Sequence, residues 1–343
     1  MQRLTLYFDS PGQVRVCPED ISPPKPEQVL VQTLLSAISP GTEMLLYRGQ
    51  IPSNIPLDAN IAVYQSQPTY PSKYGYSLVG RVTGIGKSVD PTWIGRTVFS
   101  FHPHESHFVA NPEELLPVPS DVTPEQAVFL PNMETAVNFV MDGAPLIGEE
   151  VAVFGQGIVG LLTTALLGRF PLGRLVTLDR FLLRRQISMD LGAHASFDSG
   201  NIEQVKSLFG EGIDLCFELS GSPEALNHAI ALTGYGGRVV IGSWYGTKTT
   251  SLELGGRFHR SRIRLLSSQV SSISPELSGR WTKDRRFSVA WEMLKSIAPQ
   301  RLITHKIPFI NAGQAFHLID KEPAQTVQVV LTYDDNQSEA FSL

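Results

Sequence analysis

Residues 151–162 read VAVFGQGIVGLL. Four apolar residues of strand character run into Gly155-x-Gly157-x-x-Gly160, and an apolar segment of helical length follows. Glycines at this spacing have separate physical tasks. The first makes a tight turn, the second lets backbone N–H groups approach a pyrophosphate, and the third lets helix and strand pack closely. The phosphates then rest at the helix N-terminus, where unpaired N–H groups and the helix dipole favour an anion. Cofactor contacts are therefore expected at Gly155, Gly157, Ile158, Val159 and Gly160. Such a loop also occurs as plain strand–turn–helix packing, so its context matters. Here Asp179 ends the next strand, 179 − 160 = 19 residues after the last glycine, placed for a ribose hydroxyl.

The same carboxylate repels the 2′-phosphate of NADP, which favours NAD. Arg180, Arg184 and Arg185 pull the other way, because an arginine cluster binds that phosphate, unless they form a solvated helix face. NAD is the expected cofactor and NADP its alternative. Ligands of such sheets bind beyond the carboxyl ends of the strands. That rule adds Ser220, Gly221, Gly242, Ser243 and Gln269 as cofactor-cleft candidates, with ordinary strand-to-helix turns as the competing reading.

Moving outward from the loop, strands are predicted at 151–154, 174–178, 214–219, 238–242 and 262–266, with a weaker one at 195–197. Helix-length segments lie between them, one opening after Ser222-Pro223. This alternation predicts an α/β doubly wound parallel sheet. Before residue 120 the chain is rich in Pro and Gly, with short alternating stretches such as QVLVQTLLSAI, SLVGRVTGI and ESHFVA, the texture of a β-rich domain. Between the two textures, Thr123, Pro124 and Gln126 form a capping box that opens a helix. After about residue 272 come loops, the helix FSVAWEMLKSI and the strand TVQVVLTY. The expected plan is a dinucleotide domain, 131–272, inserted into a β-rich domain built from 1–130 and 273–343.

Bulk properties exclude several classes. The 343 residues carry a net charge of 28 − 33 = −5, which suits neither a nucleic-acid groove nor an anionic membrane. The N-terminus lacks the apolar core of a signal peptide, and runs such as VGLLTTALL are too short to span a bilayer. A cytoplasmic protein is expected. The two cysteines, Cys17 and Cys216, exclude a four-cysteine zinc site and read as isolated packed thiols.

The segments SAISPGTEMLLYRG (36–49) and YGYSLVGRVTGIG (74–86), with the glycine loop and the domain order, resemble the medium-chain dehydrogenase/reductase superfamily over nearly the whole chain. That resemblance implies a GroES-like catalytic domain with an inserted Rossmann domain. Zinc-dependent members use a cysteine and a histidine in these two segments and a third ligand further on. Here Pro40 and Tyr76 stand at those two ligands, Ser77 at a neighbouring glutamate, and Pro131 near the third. None is a suitable ligand, so no zinc is expected. The cluster FHPHESH (His102, His104, Glu105, His107) lacks helical HExxH spacing and is read as polar loop or substrate-pocket residues rather than a metal site.

Without metal, proton and oxyanion handling fall to side chains. The resemblance implies Thr42 as the proton-relay hydroxyl and Thr135 beside the nicotinamide. Tyr76 is a candidate donor to the carbonyl oxygen or a group that orients Glu43. His104 is a candidate to pass the proton to solvent. Thr42 as a helix cap and Tyr76 as a packed aromatic are the plain alternatives, and Lys73 reads as a surface residue. The finer pattern is similar to a subgroup that includes 2-desacetyl-2-hydroxyethyl bacteriochlorophyllide a dehydrogenase. The expected activity is zinc-independent hydride transfer on a small-molecule secondary alcohol or ketone. An NADPH-dependent enoyl or quinone reductase, and a non-catalytic nucleotide-binding protein, are the competing functions. The resemblance also implies a homodimer through the edge strand RIRLLSS.

Overall fold

A computed structural model describes residues 1–52 and 69–333 of the protein. The chain forms two units, one from 1–131 with 294–343 and the other from 132–293.

In the first unit, alternating apolar side chains pair β1 (Gln2–Ser10) with β2 (Gln13–Asp20) around a turn where Gly12 takes a φ of +78°. This hairpin belongs to the β-rich region expected before residue 120. β3 (Val29–Ala37) buries nearly every second side chain and then enters α1 (Thr42–Tyr47), whose residues after Thr42 are all buried. β4 (Leu78–Ile85), β5 (Thr97–Ser100), β6 (His107–Ala110) and β7 (Leu116–Pro117) follow. The predicted capping box opens α2 (Pro124–Ala127): Thr123 N donates to Gln126 Oε1 at 2.9 Å, and Gln126 N donates to Thr123 Oγ1 at 3.3 Å.

The second unit begins within α3 (Leu130–Gly143) and continues through β8 (Glu150–Phe154), α4 (Ile158–Leu167), β9 (Arg174–Leu178) and α5 (Leu182–Asp190). β10 (Ala195–Phe197), α6 (Ile202–Leu208), β11 (Ile213–Glu218), α7 (Pro223–Leu232), β12 (Thr233–Ile241) and β13 (Arg264–Ser267) complete the alternation. All these strands pair in parallel, in the order β10-β9-β8-β11-β12-β13. The order reverses between β8 and β11, which makes their carboxyl ends the topological switch point. The central strands β8, β9 and β11 are largely apolar and almost wholly buried, because both faces of a parallel sheet are covered there.

The last helix of this unit, α8 (Lys283–Ile297), moves the second boundary to 293, whereas the sequence reading put it at 272. Residues 273–293 pack with the dinucleotide unit because Arg286 is fully buried against Glu134 and Asn138 of α3. The chain then returns to the first unit as β14 (Ile303–Pro308), α9 (Ala312–Lys321) and β15 (Gln328–Thr332). β15 lies parallel to β14 and antiparallel to β3, inside a mixed sheet ordered β14-β15-β3-β4-β5-β7, with β6 also on β3. Leu6, Phe8, Met44, Phe309, Phe316 and Val329 form much of the core beneath it.

Candidate functional site

Within the glycine loop the three glycines sit in different surroundings. Gly155 takes a φ of +90°, and a Cβ there would stand 2.6 Å from the backbone of Ser220, so the β8 and β11 ends approach closely only at glycine. A Cβ on Gly160 would meet the Gly155 carbonyl oxygen at 1.9 Å. Gly157 differs: a Cβ there would meet nothing within 4 Å. It is also the N-cap of α4 and offers no side chain to the first-turn N–H groups. Open space in front of uncapped N–H groups fits a pyrophosphate.

Asp179 is 7% exposed and already anchors this loop. Its Oδ2 accepts from Gln156 N at 2.7 Å and its Oδ1 from Phe181 N at 2.8 Å. Each carboxylate oxygen has a second acceptor site, so Asp179 both builds the loop and retains capacity for a ribose hydroxyl. Buried Gln156 completes the anchor, accepting from Thr164 Oγ1 at 3.0 Å. The three arginines part company. Arg185 is committed to the carbonyls of Asp179 and Arg180 and to Asp198. Arg184 and Arg180 both lie over the Phe181 ring, but Arg180 is the exposed one.

At the end of β11, Glu218 is a fully buried carboxylate that the sequence reading missed. Its Oε1 accepts from Ser220 N (2.8 Å), Ser220 Oγ (2.5 Å) and Gly221 N (3.2 Å), and its Oε2 accepts from Tyr245 Oη (2.8 Å). Burial, with Glu218 alongside, raises the Tyr245 pKa and keeps that phenol neutral. Gly221 N also lies 2.8 Å from Ser243 Oγ, so Ser220, Gly221 and Ser243 form one cluster at the switch point. The signal was a carboxylate set inside the apolar run LCFEL (215–219). Gly242 has a packing reason: a Cβ would meet Phe139 at 2.4 Å and Leu219 at 2.6 Å. Gln269 is exposed and folds back on Ser271 N at 2.9 Å, while Thr135 is half-buried on α3.

In the other unit the predicted catalytic residues meet in a buried network. Tyr76 Oη donates to Ser39 Oγ at 2.5 Å, and Ser39 N donates to Glu43 Oε1 at 2.9 Å. Glu43 Oε2 lies 2.9 Å from His104 Nε2. His104 Nδ1 pairs with Ser36 Oγ at 2.7 Å, which lies 2.8 Å from Tyr333 Oη. Glu43, His104 and Ser36 are fully buried. His104 is therefore not the solvent-facing shuttle expected from the sequence, since both ring nitrogens are engaged inside the protein. The glycine of YGYS makes room for it: a Cβ on Gly75 would stand 2.9 Å from the imidazole. Thr42 is the first residue of α1, after the Gly41 cap, so it does not cap the helix; its N–H donates to Ser39 Oγ at 3.3 Å. Ser77 turns its hydroxyl to the Val128 carbonyl.

Lys73 is not a plain surface residue. It bonds Glu19 at 2.7 Å and Glu105 at 3.0 Å, and Arg3 bridges the same two carboxylates. Glu105 also holds His102 at 3.1 Å, while His107 pairs with Ser106, so the histidines of FHPHESH diverge. Among the described residues, no three His, Cys, Asp or Glu side chains gather as a metal site. At the positions compared with zinc ligands, Pro40, Tyr76 and Pro131 bring no imidazole, thiolate or carboxylate, so these residues do not fit that metal.

A parallel sheet with a glycine loop at its switch point, joined to a β-rich unit carrying a buried hydroxyl–carboxylate–imidazole network, defines a two-unit nicotinamide-dependent oxidoreductase. Residues 159–287 match the family described as zinc-binding dehydrogenases. The D-guloside 3-dehydrogenase of Escherichia coli K12 is 23% identical over 269 residues, covering 76% of this chain and 77% of that protein. The (R,R)-butanediol dehydrogenase of Bacillus subtilis 168 is 25% identical, covering 74% and 80%. The solved alcohol dehydrogenase RspB of E. coli CFT073, in complex with NADH, superposes with a TM-score of 0.78 at 18% identity, covering 96% of this chain and 99% of its own. In fold and in the matched segment the chain is similar to these dehydrogenases, and it is an enzyme of that dehydrogenase/reductase type.

Proposed function

We propose that the protein is a metal-independent, NAD-preferring oxidoreductase acting on a secondary alcohol or its ketone. The observation that carries this reading is the pairing of Tyr76 Oη with Ser39 Oγ at 2.5 Å, beside the buried Glu43–His104 pair, where the resemblance puts a zinc ligand. The relatives' names support the substrate class, since a guloside and butanediol are both polyhydroxy or dihydroxy compounds carrying secondary hydroxyls.

The nicotinamide cofactor supplies the hydride donor or acceptor. Gly155, Gly157, Ile158, Val159 and Gly160 receive its pyrophosphate, and Asp179 its ribose. On substrate binding Tyr76 turns its one O–H from Ser39 Oγ to the substrate oxygen, with Thr42 as a second hydroxyl, and the Ser39 hydroxyl then donates to Tyr76 Oη. Ser39 fixes the direction of the Tyr76 hydroxyl. Glu43 and His104, both fully buried, hold the Ser39 end of the network in place, where hydrogen bonds are stronger than in water. A cytoplasmic homodimer paired through β13, the edge strand of the parallel sheet, belongs to the same reading.

Three measurements on one preparation test it: metal content, NADH against NADPH affinity, and the kinetics of Tyr76→Phe. The expected result is substoichiometric zinc, tighter NADH, and a kcat lowered about 100-fold in Y76F with NADH affinity unchanged. Stoichiometric zinc, or full activity in Y76F, sinks the metal-free reading. Exposed Arg180 directly after Asp179 favours one alternative, so an NADPH preference would promote the enoyl or quinone reductase.

A further inference from the structure

Arg286 is the largest fully buried side chain of the protein's described residues, and it has no part in the chemistry above. A guanidinium carries five N–H donors, and here all five are used. Nε and Nη2 donate to Glu134 Oε1 at 3.0 and 2.7 Å. Nη1 donates to Asn138 Oδ1 at 2.5 Å and to the Ser272 carbonyl at 3.1 Å. Nη2 also donates to the Val270 carbonyl. Asn138 extends the clamp through Nδ2, which donates to Ser268 Oγ at 3.0 Å, and Ser268 Oγ donates to Asp142 at 2.5 Å. One cation thus fastens α3 to the segment 268–272.

The position of that segment gives the clamp a purpose. A dinucleotide crosses the sheet at the switch point, with its pyrophosphate at the start of α4. Asp179, beyond β9, takes the adenosine ribose. Sheet order then sends the other nucleoside the opposite way, over the carboxyl ends of β11, β12 and β13. β13 ends at Ser267, so residues 268–272 begin where the nicotinamide half arrives. A nicotinamide carboxamide both donates and accepts hydrogen bonds, and backbone groups of a fixed loop answer both. Stability alone is a poor reason for the arrangement, because apolar residues replace buried ion pairs without loss. What an apolar residue cannot do is hold two loop carbonyls at set directions.

Resting on the cofactor reading above, we infer that Arg286 is a positioning residue for the nicotinamide half of the cofactor, acting through the segment 268–272 and α3. The test compares NADH with ADP-ribose, which lacks the nicotinamide ring, by calorimetric titration of the full chain. Arg286→Lys keeps the charge but cannot span Glu134, Asn138 and both carbonyls. It is expected to weaken NADH about tenfold and leave ADP-ribose unchanged. Asn138→Ala removes one arm, and is expected to show the same selectivity at about threefold; it carries the test if R286K does not fold. A lowered melting temperature with both affinities unchanged overturns the inference, and so does parallel weakening of both ligands. Wild-type protein that binds neither ligand overturns the cofactor reading, and this inference with it.

Discussion

Gly157 and Gly160 stand three positions apart in one loop, and alanine separates what each does. At Gly157 the added methyl enters open space from a cap with a φ of −67°. Gly157→Ala should therefore shift unfolding by less than about 1 kcal/mol. It should nonetheless weaken NADH by about tenfold or more, because the methyl takes the place of the pyrophosphate. At Gly160 the methyl would lie 1.9 Å from the Gly155 carbonyl oxygen, so Gly160→Ala should cost about 1–3 kcal/mol even without ligand. Urea unfolding and an NADH titration on both variants check the pair. The close packing at Gly155 and Gly160 was legible because it follows from the spacing of the motif. The state of His104 was not. Its burial depends on Gly75 leaving room and on Ser36, itself bonded to Tyr333, 333 − 104 = 229 residues further on, a partner that no local pattern announces.

At the scale of elements, the best-read feature is the start of α2. Thr123→Ala removes the oxygen that accepts from Gln126 N and should cost about 1 kcal/mol, read as a lower urea midpoint with NADH affinity unchanged. The strands of the parallel sheet were legible for a different reason. The central ones are buried on both faces and read as mainly apolar runs between helices, and the bounds shifted at strand ends, as where β12 starts at Thr233 rather than 238. Hairpin β1–β2 falls within the β-rich region expected before residue 120, but its turn at Gly12 carries no two-residue hairpin signature that would fix the strand bounds. The unit boundary at 293 was illegible in principle. An arginine on a helix reads as a solvated charge until its tertiary partners Glu134 and Asn138 are known.

Across the molecule, the charge cluster on the β1–β2 hairpin sets an acid limit. Burial opposes the Glu19 charge, but hydrogen bonds from Lys73, Tyr7 and Arg3 outweigh it and bring its pKa down to about 2. Glu105 is also lowered: burial resists, while His102, Arg3 and Lys73 prevail. A carboxylate whose pKa falls on folding adds stability above its unfolded value and loses it as the pH drops towards the folded one. Stability should therefore decline between about pH 4.5 and pH 2, by about 2–3 kcal/mol for Glu19 after allowance for its partial exposure. Urea midpoints across that range should fall less steeply in Glu19→Gln, and an equal slope would refute the assignment.

The place of β15 bears on how the protein is made. Val330, Leu331 and Thr332 pair with Ala37, Ser36 and Leu35, so residues made first wait for partners translated 330 − 37 = 293 positions later. The dinucleotide unit is one unbroken stretch and can finish folding while the ribosome is still working. Until β15 emerges, the second half of β3 carries an unpaired edge, the kind that invites a wrong neighbour. During synthesis, the unit that binds the cofactor is complete before the unit that carries Tyr76.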